Sequence, residues 1–67
     1  MNKIDILRKI QNKSYGAIAK ETGLTATYIY LLAKGERTNP SLEVMQKISV
    51  ALGEKVEKVF QINETKK

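Results

Sequence analysis

The feature of this sequence that most restricts its fold is a break of three residues between two short helical segments. Ser14 is a typical N-cap residue and begins the segment SYGAIAKETG, whose Gly23 suits the left-handed position that ends a helix. Thr25 is a second N-cap residue and begins the segment that ends at Gly35. Because only three residues separate the segments, we predict two helices that pack directly against each other, with the small side chain of Ala19 allowing the approach.

The remaining segments also show helical spacing and none of the alternation that is typical of strands, so the sequence predicts an all-α domain of five short helices. In the first segment, Ile4, Leu7 and Ile10 recur at three-residue spacing and are predicted to face the core. Asn12 can then take the left-handed conformation that closes this helix. We expect residues 1–67 to form a single domain, with a compact part at about 3–62 and a flexible tail at 63–67.

The fourth and fifth segments follow a polar loop, ERTNP. Pro40 forces Asn39 out of helical geometry, and Ser41 and Glu43 then begin the fourth helix. Its predicted core face consists of Leu42, Met45, Ile48, Ser49 and Leu52. The last segment carries more apolar surface than a short exposed helix requires, and we predict a homodimer interface formed by Val56, Val59, Phe60 and Ile62. The alternative is that Val56 and Phe60 close the core of the single chain.

The helix that follows Thr25 has an unusual distribution of apolar residues. On a helical wheel, Ile29, Leu32 and Ala33 face the core. The opposite ridge and its flanks are formed by Thr27, Tyr28, Tyr30, Leu31 and Lys34. Leu31 is therefore predicted to point directly away from the core, whereas Tyr28 lies near enough to the core side to cover its edge.

The composition excludes most classes of catalytic site. The 67 residues leave too small an interior for a ligand-sized cavity beside a core, and they include no His, no Cys and a single Asp. The usual zinc sites, thiol nucleophiles, disulfides and histidine bases are therefore excluded, and we predict a protein that is not an enzyme and uses no metal or cofactor. No apolar run is long enough for a signal peptide or a membrane span, which predicts a cytoplasmic protein.

The charge distribution points to an anionic partner. The net charge is +5, and residues 1–20 hold five basic side chains and one acidic one, whereas residues 21–40 hold two of each. A basic first third beside a nearly neutral remainder is typical of a surface that meets phosphate. Many domains carry such a charge for solubility alone, so charge by itself leaves both interpretations open.

Several short motifs, in order and without a gap, resemble the phage-repressor/Cro-type helix-turn-helix DNA-binding domain over roughly residues 4–60. They are the pair Leu7 and Arg8, S…AIAKETGLT from Ser14, the pair Ile29 and Leu32, Gly35, NPSLE from Asn39 to Glu43, and ALG followed by Phe60. The resemblance implies a five-helix, lambda-repressor-like domain in which the helix after Thr25 lies in the major groove of DNA and the helix after Ser14 crosses the backbone. It also implies a transcriptional regulator, usually a repressor that binds its operator as a homodimer.

The resemblance also assigns DNA contacts, residue by residue. Positions that match base contacts in the family carry small or apolar side chains, at Ala26, Thr27 and Leu31. Tyr15 matches a position where a Gln that contacts phosphate or a base is common. The full set of predicted DNA contacts comprises Ser14, Lys34, Arg37 and Asn39 near phosphates, together with Tyr15, Thr25, Ala26, Thr27, Tyr28, Tyr30 and Leu31.

Two departures from the family pattern concern the basic side chains of the first third. Ala33 stands where some members have a Glu that pairs with the Arg of the first helix. Arg8 is therefore predicted either to be free for phosphate or to pair with Glu21. Lys13 stands where an apolar residue is common.

A third departure concerns base recognition and leaves two functions open. Ala26 and Leu31 replace polar residues, so bidentate recognition of guanine or adenine is not available there. Packing of these side chains and of the Thr27 methyl against thymine methyls would favour A·T-rich operators, with Tyr28 and Tyr30 hydroxyls reaching phosphate or a base edge. The alternative is a protein-interaction module, such as an antirepressor or an antitoxin-like partner, that uses the exposed face of Tyr28, Tyr30 and Leu31.

Overall fold

A computed structural model describes residues 2–60 of the chain. In that range five helices follow one another: α1 Ile4–Ile10, α2 Tyr15–Thr22, α3 Ala26–Ala33, α4 Leu42–Leu52 and α5 Val56–Val59. Residues 2–60 contain no strand. The predicted all-α fold of five helices is therefore confirmed. Ile62 and the tail predicted at 63–67 lie outside the described residues.

Three of the helices begin at the N-cap residues that the sequence predicted. The Ser14 hydroxyl accepts a hydrogen bond from the Ala17 N–H at 3.0 Å. The Thr25 hydroxyl accepts one from the Tyr28 N–H at 3.1 Å. The hydroxyl of Ser41 does the same at the start of α4, at 3.2 Å. Each cap satisfies one backbone donor that the helix itself leaves unpaired and contributes about 1 kcal/mol.

Residues in the left-handed region end α1 and α2 and lie in the loop before α4. Asn12 follows α1 with φ 58°, as predicted, and Gly23 follows α2 with φ 79°. Asn39, the residue before Pro40, also has φ 58° and is therefore outside helical geometry, in agreement with the sequence prediction. These turns fix the short connections that bring the helices together.

The core lies between α2, α3 and α4 and is closed by α1 and α5. It consists of Ile4, Leu7, Ile18, Ile29, Leu32, Ile48, Ala51, Leu52, Val59 and Phe60, all of them buried. Ser49 is also buried, as predicted, and within residues 2–60 its hydroxyl has no hydrogen-bond partner. The Lys3 N–H donates to the Val59 carbonyl at 2.7 Å and so joins the start of α1 to α5.

The prediction that Ile10 and Leu42 face the core is wrong. Ile10 is 74 % exposed and Leu42 is 57 % exposed. Each lies six residues from a buried isoleucine of its own helix, Ile4 or Ile48. Six residues turn a helix by about 600°, which leaves the side chain roughly 120° away from the core direction. A side chain two three-residue steps from a buried one therefore no longer faces the core.

The terminal segment packs against the core of the single chain. Val59 is fully buried, Phe60 is 8 % exposed, and Val56 packs against the same core. The apolar surface of Val59 and Phe60 is used within the single chain, which agrees with the alternative that this segment closes the core. Ile62, the fourth predicted interface residue, lies outside the described residues.

Candidate nucleic-acid interface

The pair α2 and α3 is held together by buried side chains and by the turn between them. Ile18 from α2 and Ile29 from α3 are both fully buried. The Thr22 hydroxyl donates to the Ile18 carbonyl at 2.8 Å and accepts from the Leu24 N–H at 3.2 Å, so the end of α2 and the turn are joined by one side chain. Ala19 and Leu24 are partly buried against the core. These contacts fix the orientation of α3 relative to α2.

The outward ridge of α3 matches the prediction at its polar positions. Thr27 and Lys34 are exposed, whereas Ile29 and Leu32 on the opposite side are buried. Leu31, predicted to point directly outward, is only half-exposed. Its carbonyl accepts from the N–H groups of Glu36 and Arg37, at 2.9 and 3.2 Å, because the chain turns back on α3 after Gly35.

The tyrosines that flank the ridge lie in different environments. Tyr28 packs against the core, which agrees with the interpretation that it covers the core edge. The Arg37 guanidinium lies 5.5 Å from the centre of its ring. Tyr30 is 44 % exposed, and the Lys34 ammonium lies 5.4 Å from its ring centre. The apolar patch on this face is therefore smaller than the sequence predicted, and both rings carry a cation at distances typical of cation–π contacts.

A charged cluster joins α1 to the start of α2. The Asp5 carboxylate accepts from the Arg8 guanidinium through Nε at 3.1 Å and Nη2 at 2.8 Å, and it pairs with Lys9 at 3.2 Å. The Tyr15 hydroxyl donates to the same carboxylate at 2.8 Å. This donation, followed by the contacts with Lys9 and Arg8, holds the pKa of Asp5 well below its usual range.

The partner predicted for Arg8 is therefore wrong. Arg8 is neither free nor paired with Glu21; it is held by Asp5, and its Nη1 also donates to the Lys13 carbonyl at 3.3 Å. Glu21 pairs instead with the Lys13 ammonium at 3.0 Å, and that ammonium also donates to the Ala51 carbonyl at the end of α4. Asp5 was missed as a site residue, although its spacing to Arg8 and Lys9, three and four residues, is typical of ion pairs on a helix.

Tyr15 is the residue at which α1, α2 and α3 meet. The Arg8 guanidinium lies 4.2 Å above the centre of its ring. The Tyr30 ring of α3 meets it edge-on, with centres 5.5 Å apart and planes at 85°. Burial raises the pKa of the Tyr15 hydroxyl above its usual value. The hydroxyl of Tyr15, one of the predicted DNA contacts, donates a hydrogen bond to Asp5 in this structure.

The other predicted contact residues lie at the surface around this pair of helices. Ser14, Thr25, Arg37 and Asn39 are exposed, and Ala26 is half-exposed. Ser14 and Thr25 use their hydroxyls as helix caps. An open groove of about 400 Å³ lies elsewhere, between α2 and α4, and none of the predicted contact residues lines it.

The sequence matches the helix-turn-helix family over residues 4–59, which is most of the chain. The chain belongs to the Cro/repressor-type helix-turn-helix family. Among curated proteins, none matches the chain. The five helices and the α2–α3 pair fit the lambda-repressor-like fold of this helix-turn-helix family.

Membership in the helix-turn-helix family defines the function in general terms. The chain is a DNA-binding regulator, from a family of regulatory domains that are not typically enzymes. Across residues 2–60 there is no cluster of three or more metal-ligating residues. In the same part of the chain, no helix has the length and apolar character needed to cross a membrane.

Proposed function

We propose that this helix-turn-helix regulator is a repressor that binds an operator as a homodimer, with α3 in the major groove and α2 across the backbone. A domain of this size covers one half-site, and a two-fold dimer places two such helices about one DNA turn apart. Occupying a promoter in this way excludes the polymerase. Concentration, a partner or proteolysis would then control the occupancy.

The observation that carries the proposal is the polarity of α3. Ile29 and Leu32 are buried on one side, while Thr27 and Lys34 are exposed on the other. A recognition helix needs this division, because its inner side must hold it on the domain while its outer side meets base edges. Lys34 and the nearby Arg37 supply positive charge at the end of the same helix.

The side chains on the ridge favour recognition of A·T-rich DNA. Ala26, the Thr27 methyl and the exposed half of Leu31 are apolar groups of the kind that contact thymine methyls. Within α3 there is no Arg, Asn or Gln to form a bidentate pair with guanine or adenine. Affinity would therefore come mainly from phosphate contacts, and discrimination from methyl packing, the Tyr30 hydroxyl and DNA shape.

The dimer would need a surface other than Val59 and Phe60, which the core uses. Exposed apolar side chains on α1, Ile6 and Ile10, and on α4, Leu42 and Val50, offer surface that a second copy can cover. Isologous contacts bury the same patch on both copies, so either face can form the two-fold contact on its own axis.

The experiment is footprinting and band-shift with the DNA just upstream of the chain's own coding region, at about 50 and 200 mM salt. We expect protection of two half-sites and an affinity that falls steeply with salt, since phosphate contacts release counterions. A flat salt response, or no shift at all, would reject the proposal. If Tyr30→Ala and Leu31→Ala left DNA binding intact but abolished capture of a protein partner, the protein-interaction alternative would replace it.

A further inference from the structure

We infer that Asp5 is a positioning residue for the DNA-contacting surface, acting through Arg8 and Tyr15 on Tyr30 of α3. This inference rests on the proposed operator binding and adds to it a residue outside the helix-turn-helix pair. Asp5 itself need not touch DNA. Its role is to fix the ring that flanks the outward ridge of α3.

The first step is the convergence of three side chains on one carboxylate. Asp5 accepts from the Tyr15 hydroxyl at 2.8 Å and from Arg8 at 2.8 and 3.1 Å, and pairs with Lys9 at 3.2 Å. Hydrogen bonds to an ionised group are shorter and stronger than those between neutral groups. The carboxylate therefore sets the positions of both Arg8 and Tyr15.

The second step is the position of the Tyr15 ring. Its hydroxyl is held by Asp5, and one ring face lies 4.2 Å below the Arg8 guanidinium. Arg8 is fixed in turn by its bond to the Lys13 carbonyl at 3.3 Å. Contacts at the tip and on one face together define where the ring can lie.

The third step passes from α2 to α3. The Tyr15 and Tyr30 rings meet edge-on, with centres 5.5 Å apart, and the Lys34 ammonium lies 5.4 Å from the Tyr30 ring centre. Such aromatic pairs have a preferred geometry, so displacing one ring displaces the other. A change at Asp5 therefore reaches the exposed side of α3 although the two residues lie on different helices.

Charge alone predicts a different outcome, and this makes the inference testable. Asp5 is the single acidic residue among residues 1–20. Replacing it by Asn removes a negative charge and strengthens binding to any DNA if charge is its only role. If Asp5 positions Tyr15 and Tyr30, the same substitution lowers the preference for operator over unrelated DNA.

The experiment uses the full chain and measures binding, by fluorescence anisotropy, to the footprinted operator and to a shuffled duplex of equal length and composition. The variants are Asp5→Asn and Tyr15→Phe. The second variant keeps the aromatic ring and removes the hydroxyl. Glu43→Gln is the matched control, because Glu43 also pairs with a lysine four residues along its helix, at 3.4 Å, and its loss changes the charge equally. Urea unfolding reports the folded fraction of each variant.

We expect Asp5→Asn to lower the ratio of operator affinity to shuffled-duplex affinity about tenfold, a change of about 1.4 kcal/mol. Tyr15→Phe should lower the ratio in the same direction, and Glu43→Gln should leave it unchanged. If Asp5→Asn does not fold, the ratio for Asp5→Glu decides, because this variant keeps the charge and displaces the carboxylate from Arg8 and Tyr15.

Three results would overturn the inference. If Asp5→Asn and Glu43→Gln gave the same ratio of operator affinity to shuffled-duplex affinity, Asp5 would act only through its charge. If Asp5→Asn lowered the affinities for operator and shuffled duplex equally and also lowered the urea midpoint, Asp5 would have only a structural role. A wild-type chain without operator preference would reject the proposed function itself, and the inference with it.

Discussion

Replacing Phe60 by Ala should unfold the domain and not simply separate a dimer. Phe60 is 8 % exposed and packs beside the fully buried Val59, against the core. Truncating a buried Phe to Ala costs about 3–5 kcal/mol, since it removes transfer free energy and leaves a cavity. A single core in a chain of this length rarely supplies more than about 3–5 kcal/mol in total. We therefore expect Phe60→Ala to be largely unfolded at 25 °C.

A graded variant allows the magnitude to be measured. Phe60→Leu keeps most of the apolar volume and should cost about 1–2 kcal/mol. The assay is urea unfolding followed by circular dichroism, with light scattering on the same samples for the oligomeric state. Thr38→Ala is the control, because Thr38 is exposed in the loop before α4, outside the surfaces proposed for the dimer, and its truncation should change stability by less than about 0.5 kcal/mol.

The opposite pattern would refute this assignment of Phe60. If Phe60→Ala kept the wild-type urea midpoint and only converted dimers to monomers, its ring would belong to an interface between copies. The homodimer interface predicted from the sequence would then hold for Phe60.

Four further predictions test individual contacts. Thr25→Ala should lower the free energy of unfolding by about 1 kcal/mol in urea, because the cap on the Tyr28 N–H is lost; an unchanged midpoint would contradict the cap. If Lys34 contacts phosphate, Lys34→Ala should reduce the slope of log Kobs for DNA binding against log salt by about 0.9. Lys47→Ala, on α4, is the control and should leave this slope unchanged. Equal slopes for the two variants would reject the contact of Lys34 with phosphate. Because the pKa of Asp5 is lowered in the folded chain, its contribution to stability is present above the unfolded pKa of about 3.9 and is lost as pH falls towards the folded value. Urea midpoints at about pH 5 and pH 3 should thus differ less in Asp5→Asn than in the wild type, and an equal difference would argue against the cluster. Ser49→Ala should be neutral or stabilising by up to about 1 kcal/mol in thermal unfolding, since the buried hydroxyl finds no partner within residues 2–60; a clear loss of stability would show that the hydroxyl is satisfied.

The helix boundaries could be predicted because they depend on local chemistry. The caps Ser14, Thr25 and Ser41 and the left-handed Gly23 and Asn12 act within three or four residues of their own positions. Their residue types alone are therefore informative. The order of these signals, together with the motifs along the chain, was enough to identify the family.

The failures concern the direction of two side chains on their helices and the choice among ion-pair partners. Ile10 and Leu42 have the residue type of a core position, but each lies about 120° from the core face of its helix, because a helix has 3.6 residues per turn and not three. Arg8 has two acidic residues within reach. Its pairing with Asp5 follows from helical spacing, whereas the pairing of Glu21 with Lys13 depends on how α2 packs on the rest of the fold. The sequence predicted the exposure of Thr27 and Lys34, and it did not predict the cluster of Asp5, Arg8 and Tyr15 where three helices meet.

The contacts of Lys34 and Arg37 with aromatic rings have a consequence for the cost of binding. A free lysine or arginine loses about 1.5–2 kcal/mol of rotamer entropy when it is immobilised. Lys34 already lies on the Tyr30 ring and Arg37 on the Tyr28 ring, so part of this entropy is lost during folding and would not be lost again in the proposed binding to phosphate. The two tyrosines of α3 thus restrict the cations that follow the helix before any partner binds.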